Sequence, residues 1–179
     1  EAVVVSAGAE APAAHRIAQA IADWRDRDHD RRPDGAEAGD YAASGLTTGP
    51  RNAAFVVLEE LRAVRGMNPE LFMAAAPLLT VHSGTAGIDP QVAPPQVLAA
   101  LPGMTAALAA SVTESRRASA QAAARPGAAS TFFAGSSGRT YTIQVTVEMP
   151  AGLRFRRRAI AALTGQPQRP YRILAWSQG

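Results

Sequence analysis

The chain has 179 residues, 47% of them hydrophobic, and no cysteine. That length buries about 70% of the surface an unfolded chain exposes, enough for one large domain or two small ones, and the missing thiols exclude disulfides, thiolate zinc sites and cysteine nucleophiles. All eighteen basic residues are arginine, and the net charge of +3 hides a dipole: residues 1–60 carry six arginines against eleven acids, residues 61–179 twelve against four.

No stretch approaches the roughly 18 to 20 uncharged apolar residues of a membrane helix, and no charged segment leading into an apolar core marks a signal peptide. The chain starts at Glu1 rather than methionine, which points to a trimmed or processed piece. A chain without cysteine suits a reducing cytosol or an exported protein equally.

The first two-thirds reads helical. In "AAHRIAQAIADW", Ile17, Ala20, Ile21 and Trp24 fall at helical spacing and predict a buried face. An acidic loop follows. The segment "NAAFVVLEELRAVRG" then predicts a helix with Phe55, Leu58, Leu61 and Val64 on one face, Asn52 as N-cap and Gly66 as C-cap. Pro69 opens a further helix, "PELFMAAAPLL", and a bend from Ser83 to Pro95 leads into "PQVLAALPG" and "TAALAASVTESRRASAQAAA". Two of these segments echo each other: "LRAVRGMN" (61–68) and "LAALPGMT" (98–105) align at a period of 37, each an apolar helix end, glycine, methionine, polar cap and new helix. Two copies indicate duplicated small helical units rather than a solenoid.

At "ARPGAASTFFAGSSG" the composition turns to small, turn-forming residues. Beyond it the period is two. In "TYTIQVTVEM", Tyr141, Ile143, Val145 and Val147 alternate with Thr142, Gln144, Thr146 and Glu148, and "LRFRRRAIAAL" and "PYRILAW" complete three antiparallel strands with turns at Pro150–Gly152 and Gly165–Pro170. So short a meander is hardly stable alone, so its apolar face is expected to pack on a helix, one preceding Glu1 included.

The loop "DRDHDRRPDGAE" (26–37) puts five carboxylates and three arginines into twelve positions. Counted from Asp26, the acids Asp28, Asp30, Asp34 and Glu37 fall at positions 3, 5, 9 and 12, with Arg32 at 7. That is the ligand spacing of an EF-hand calcium loop, in which alternate side chains converge and the last returns a bidentate carboxylate. Arg31 replaces the glycine of position 6, and Pro33 the aliphatic residue of position 8. Two carboxylates about 4 Å apart repel by roughly 4 kcal/mol at an effective dielectric of 20, so four or five converge only around a cation. The competing reading is a wet loop in which Arg25, Arg27, Arg31 and Arg32 partner the acids. A catalytic carboxylate pair needs a cleft that separates two pKa values, and nothing in the sequence marks one. His29 could serve a softer metal, but a lone histidine among aspartates more often faces solvent.

The segment "AGIDPQVAPPQVLAALPGM" is similar to helix-hairpin-helix elements that grip nucleic-acid backbones through glycine N–H groups. Here Met104 and Thr105 follow Gly103, and no arginine lies between Arg65 and Arg116, so packing is the better reading. Arg154, Arg156, Arg157 and Arg158 could meet phosphate, but strand alternation splits them between two faces. No enzyme signature is present: "FAGSSGR" lacks the spacing of a nucleophile elbow, and "HSGTAG" lacks the lysine of a phosphate loop.

Taken in order, "IADWRDRD", "GAEAGDY", "NAAFVVLEELRAVRGM", "LLTVHSG", "IDPQVAPPQVLAALPGM", "YTIQVTVE" and "YRILAW" resemble general secretion pathway protein K (GspK), the large minor pseudopilin of type II secretion systems, over nearly the whole chain. The resemblance implies an α+β fold: a pilin-like antiparallel sheet with a large all-α insert of two SAM-like, helix-hairpin-helix-like subdomains. It implies an N-terminal pilin helix absent from this chain. The corresponding division is 1–82 for the first helical subdomain with the acidic loop, 83–128 for the second, and 129–179 for the C-terminal strands. It implies a non-enzymatic protein at the pseudopilus tip, assembled with GspI- and GspJ-like minor pseudopilins, periplasmic and held to the inner membrane only through the missing helix. Bound calcium is also implied, and the family's acidic motif falls on Asp23, Asp26, Asp28, Glu37 and Asp40. Loop geometry adds Asp30 and Asp34, so the expected ligands are Asp26, Asp28, Asp30 and Glu37. Ala38 departs from the family's usual "GAED", and Asp89, Gln91 and Val92 depart from its usual "N-x-N-T-A". A nucleic-acid-binding helical module is the alternative, with no metal and a salt-sensitive affinity for duplex DNA; a metal-dependent hydrolase is a distant third.

Overall fold

The computed structural model describes residues 1–118, 131–135, 139–150 and 152–178. It is α+β, and the backbone separates into two compact units: Glu1–Val81 with Pro90–Phe133, and His82–Asp89 with Ala134–Gly179.

The first unit is helical. Its elements are α1 (Ala2–Ser6), α2 (Ala11–Arg25), α3 (Ala38–Ala43), α4 (Pro69–Ala75), α5 (Pro95–Ala99) and α6 (Ala106–Ala118), with short 3-10 turns at Leu58–Ala63 and Ala76–Leu78. Helix α2 forms where alanine is dense and Pro12 stands in the first turn, where its missing N–H costs nothing. It buries Ile17, Ala20 and Trp24, as the spacing predicts, and Ala14 with them, while Ile21, the fourth residue of the predicted face, is half-buried. Around Trp24 lie Tyr41, Leu61, Val64 and Phe72, with Phe55 and Leu58 half-buried against them. The Trp24 ring meets Tyr41 edge-on at 5.6 Å and stacks parallel to Phe55 at 6.4 Å.

The expected helix from Asn52 to Gly66 does not form as one. Only Leu58–Ala63 winds, as a 3-10 turn, and Val57 before it is extended. Two causes compete with the helix. Phe55-Val56-Val57 is a run of poor helix formers. Glu60 Oε1 meanwhile accepts the N–H groups of Val56 (2.8 Å) and Val57 (3.1 Å), giving the backbone a local alternative to the helix ladder. Nor is Asn52 an N-cap. Its backbone is left-handed at φ 51°, its N–H donates to the Trp24 carbonyl at 3.0 Å, and its side chain reaches back to the acidic loop.

The 37-residue echo is structural. Gly66 and Gly103 are both left-handed (φ 86° and 76°), a conformation only glycine adopts cheaply. Met67 N–H donates to the Val64 carbonyl at 3.0 Å, and Met104 N–H to the Leu101 carbonyl at 3.1 Å. Asn68 Oδ1 then caps α4 through the Leu71 N–H (2.8 Å), and Thr105 Oγ1 accepts from the Leu108 N–H (3.2 Å) at the head of α6. Met104, Leu98, Leu101, Ala109 and Val112 are buried. The predicted continuation of α6 through residue 124, and most of the small-residue segment 124–138, lie outside the described residues.

The second unit holds a three-stranded antiparallel sheet in the order β1 (Thr140–Glu148), β2 (Arg154–Gln166), β3 (Arg169–Gln178). The second turn is tighter than expected, because β2 runs to Gln166 and β3 resumes at Arg169. Register sorts the side chains. Tyr141, Ile143, Val145 and Val147 pair with Ala161, Ala159, Arg157 and Phe155, which in β3 continue to Ile173 and Trp176. The opposite face carries Thr142, Gln144, Thr146 and Glu148 beside Ile160, Arg158, Arg156 and Arg154. One face is thus apolar and the other basic. Ala159 and Ala161 are buried, whereas Ile143 is 48% exposed, Val145 50% and Trp176 66%.

Candidate cation site

The acidic residues of the first unit come from two helix ends. Asp23 and Asp26 stand on the last turn and C-cap of α2, the negative end of its dipole, where carboxylates are disfavoured unless a cation answers them. The loop then turns twice: the Asp30 N–H donates to Asp28 Oδ1 at 3.0 Å, and the Gly35 N–H to the Arg32 carbonyl at 3.0 Å. Glu37 enters as the N-cap residue of α3, its own N–H donating to Asp40 Oδ2 at 2.9 Å.

Asp26, Asp28 and Glu37 converge, each offering a carboxylate oxygen within 4.8 Å of the others. That spread matches oxygens sharing a hard cation at about 2.3–2.6 Å each. Glu37 is only 7% exposed, yet neither of its side-chain oxygens has a hydrogen-bond partner, and Asp26 Oδ1 is likewise buried and unpartnered. Burial drives the Glu37 carboxyl above the usual carboxylate range against the opposing pull of the Ala38 backbone N–H, and the charges of Asp23 and Asp26 add to the rise. Three converging carboxylates, two of them with buried oxygens that have no partner, and no nitrogen or sulfur donor among the three, suit calcium better than a softer metal.

The other acids are occupied. Asp23 is fully buried and held by Arg32, whose Nη1 donates to Asp23 Oδ1 at 2.6 Å and also to Asp26 Oδ2. The two carboxylates, Asp26 foremost, hold the Arg32 proton more firmly than usual. Asp40 takes Arg31 at 3.3 Å and Arg65 at 3.7 Å, and the Glu37 N–H chiefly keeps its carboxyl below the ordinary range. Asp34 faces His15 Nε2 at 3.7 Å. Asp30 is exposed and is not one of the three converging acids. His29 Nδ1 lies 2.7 Å from Asn52 Nδ2, which donates as well to the Asp28 carbonyl at 2.8 Å, so Asn52 straps the loop from outside.

Sequence reasoning missed three residues here. Arg32 looked like one of several generic partners, and Asn52 like a helix cap. Gly35 carries no signal in the spacing; its need is for room rather than for φ, because a Cβ there would lie 1.9 Å from Asp23 Oδ2. Elsewhere in this unit a shallow cavity of about 250 Å³ is lined by Tyr41, Leu46, Arg62, Arg65 and Met67. The Tyr41 hydroxyl below it accepts the Arg65 N–H at 3.0 Å.

Residues 1–84 match the family model of the type II secretion system (T2SS), protein K. No curated protein matches the chain. Five solved chains do. One belongs to the crystal structure of the GspK-GspI-GspJ complex from the type 2 secretion system of enterotoxigenic Escherichia coli. It shares 17% identity at a TM-score of 0.68, over 99% of this chain and 68% of that one. At that identity the likeness is one of fold.

Proposed function

We propose that the chain is a type II secretion system protein K, as the match of its residues 1–84 to that family suggests, and that it is a minor pseudopilin that caps a short pseudopilus by binding two other minor pseudopilins, of the GspI and GspJ kinds. The observation that carries this is the fold likeness over 99% of the chain to a GspK-GspI-GspJ complex. The role is one of assembly, not catalysis. The sheet supplies the partner surface: a face with Ile143, Val145 and Trp176 exposed offers apolar area for a partner helix or strand. The helical region, as two SAM-like subdomains, adds bulk that limits subunit addition above it. No described helix is long and apolar enough to cross a membrane; in this reading the full-length protein is periplasmic and anchored by the N-terminal helix its family carries.

Calcium completes the reading. Asp26, Asp28 and Glu37 would hold it, Asp30 joining by a turn of its exposed side chain, and the ion would supply the positive charge that the buried Glu37 lacks. Calcium at a hundredfold excess over its dissociation constant should raise the thermal midpoint by about 5–10 °C relative to chelator. Asp26→Ala and Glu37→Ala should abolish the shift. An unchanged wild-type midpoint would remove calcium from this account and leave the assembly role standing.

The assembly role is tested by mixing the chain with the I- and J-like minor pseudopilins of its own system and measuring mass by size exclusion with light scattering. A complex of all three is expected; three separate peaks refute the role. Salt-sensitive binding to duplex DNA in a parallel titration would favour the helix-hairpin-helix alternative, for which the comparisons supply no support.

A further inference from the structure

We propose that Arg32 is the positioning residue of the cation site, a bracket that consumes Asp23 and turns Asp26 so that one of its oxygens faces Asp28 and Glu37. The inference rests on the calcium reading above and goes beyond it by assigning a role to a residue that is not itself a ligand. One guanidinium nitrogen, Nη1, donates both to Asp23 Oδ1 and to Asp26 Oδ2, while the Arg32 N–H reaches Asp23 Oδ2 at 3.3 Å. Asp26 is therefore divided: its Oδ2 belongs to Arg32, and its Oδ1 is buried without a partner. Asp23 is spent altogether, with both oxygens satisfied by Arg32.

The consequence is a sorting of like charges. Six carboxylates, Asp23, Asp26, Asp28, Asp30, Asp34 and Glu37, crowd this loop and the end of α2, and left to repulsion they would splay into water. Arg32 neutralises the fully buried Asp23, the one least able to do so, and clamps Asp26 by its far oxygen. What is left open is the set Asp26 Oδ1, Asp28 and Glu37, with Glu37 more than nine-tenths buried and both its oxygens unmatched. Gly35 makes the bracket possible, because its missing side chain leaves room for Asp23 to reach Arg32. Groups that hold a ligating carboxylate from behind in this way tune metal affinity: their loss typically costs about 10–100-fold.

The test is calcium affinity by titration calorimetry, well below the thermal midpoint. Arg32→Gln should weaken binding by about tenfold or more, and Arg32→Lys should recover most of it, since a single ammonium can still bridge Asp23 and Asp26. If Arg32→Gln fails to fold with Asp23 buried and unpaired, Asp23→Asn/Arg32→Gln replaces it. That variant keeps the net charge of the wild type and leaves Asp26 unheld, so the same loss is expected. Terbium bound beside Trp24 gives a second readout: luminescence lifetimes in light and heavy water should count more coordinated waters in the variant. An unchanged affinity and water count with a lowered thermal midpoint would make Arg32 a plain structural pair and overturn the proposal. Tighter binding would overturn it too, showing Arg32 as a competitor for the site. Absence of calcium binding by the wild type would overturn the calcium reading itself, and this inference with it.

Discussion

The helical unit and the sheet unit each carry an unmet demand, of opposite kinds. In the first, the central apolar cluster is settled: Trp24, Tyr41, Leu61, Val64 and Phe72 are nearly inaccessible, and what lacks a partner there is charge, at Glu37 and Asp26. In the second, β2 is paired along both edges, Glu148 has Arg154 and Arg157 lies over the Phe155 ring, and what lacks cover is hydrocarbon, at Ile143, Val145 and Trp176. A small hard ion suits the first demand, because converging carboxylates need charge and little volume. Only a second apolar surface suits the second, because burial gains about 25 cal/mol per Å² and no ion provides area. One molecule thus shows two ways of being incomplete, which call for two different kinds of partner.

The contrast can be broken by substitution. The largest effect should come at Gly35. Gly35→Ala puts a methyl 1.9 Å from Asp23 Oδ2, and Asp23 is packed and bonded with nowhere to go. A loss of about 1–3 kcal/mol is expected, seen as a lower midpoint in chemical or thermal denaturation. A wild-type midpoint would mean that the Asp23–Arg32 bracket yields freely.

Next comes Glu37→Gln, which should change sign with conditions. In chelator at neutral pH it removes a buried, unpartnered charge, so the midpoint should rise by about 2–4 °C; in calcium it should fall below wild type. The pH dependence follows from the same group. Its folded pKa is raised, so the folded state binds the proton more tightly than the unfolded one. The metal-free protein should therefore gain stability from Glu37 as pH falls through that raised value, down to the ordinary carboxylate range. Asp40 works in the opposite direction: its depressed value gives stability above the ordinary carboxylate range, lost as pH falls through the folded value. Midpoints of wild type and Glu37→Gln between pH 4 and 7, in chelator, separate the two: the wild-type gain on acidification should vanish in the variant.

The smallest effect on stability should come from the sheet. Ile143 is already 48% exposed, so Ile143→Thr should move the midpoint by no more than about 0.5 kcal/mol. It should nonetheless weaken binding to the I- and J-like partners, measured by calorimetry. Equal loss of stability and of binding would mean that this face is core rather than interface.

Much of this was legible in one dimension. The period of Ile17, Ala20 and Trp24 named the buried side of α2, and the alternation from Tyr141 to Val147 named the apolar face of β1, because both patterns come from local geometry alone. The repeat at 61–68 and 98–105 was readable down to the glycine and the cap. The segment 52–66 was not, because its fate was settled by contacts at a distance: Phe55 stacks on Trp24, and Asn52 spends its side chain on the Asp28 carbonyl rather than on a helix end. In the acidic loop, counting by twelve suggested alternate carboxylates, Asp30 among them. The folded loop instead brings together Asp26, Asp28 and Glu37, and an Asx turn at Asp28 carries the chain outward at Asp30.

By itself, then, the sequence determined α2 and its buried face, the three strands and their two-faced sheet, the duplicated hairpin and the concentration of acid near Trp24, since periodicity, turn residues and charge count are properties of neighbours along the chain. Which carboxylates would be spent on an arginine and which left open was decided only in three dimensions. Arg32, Gly35 and Asn52 act through side chains, or the lack of one, on partners six to twenty-four positions away, and no spacing rule encodes who reaches whom once a buried charge must be answered by the nearest cation.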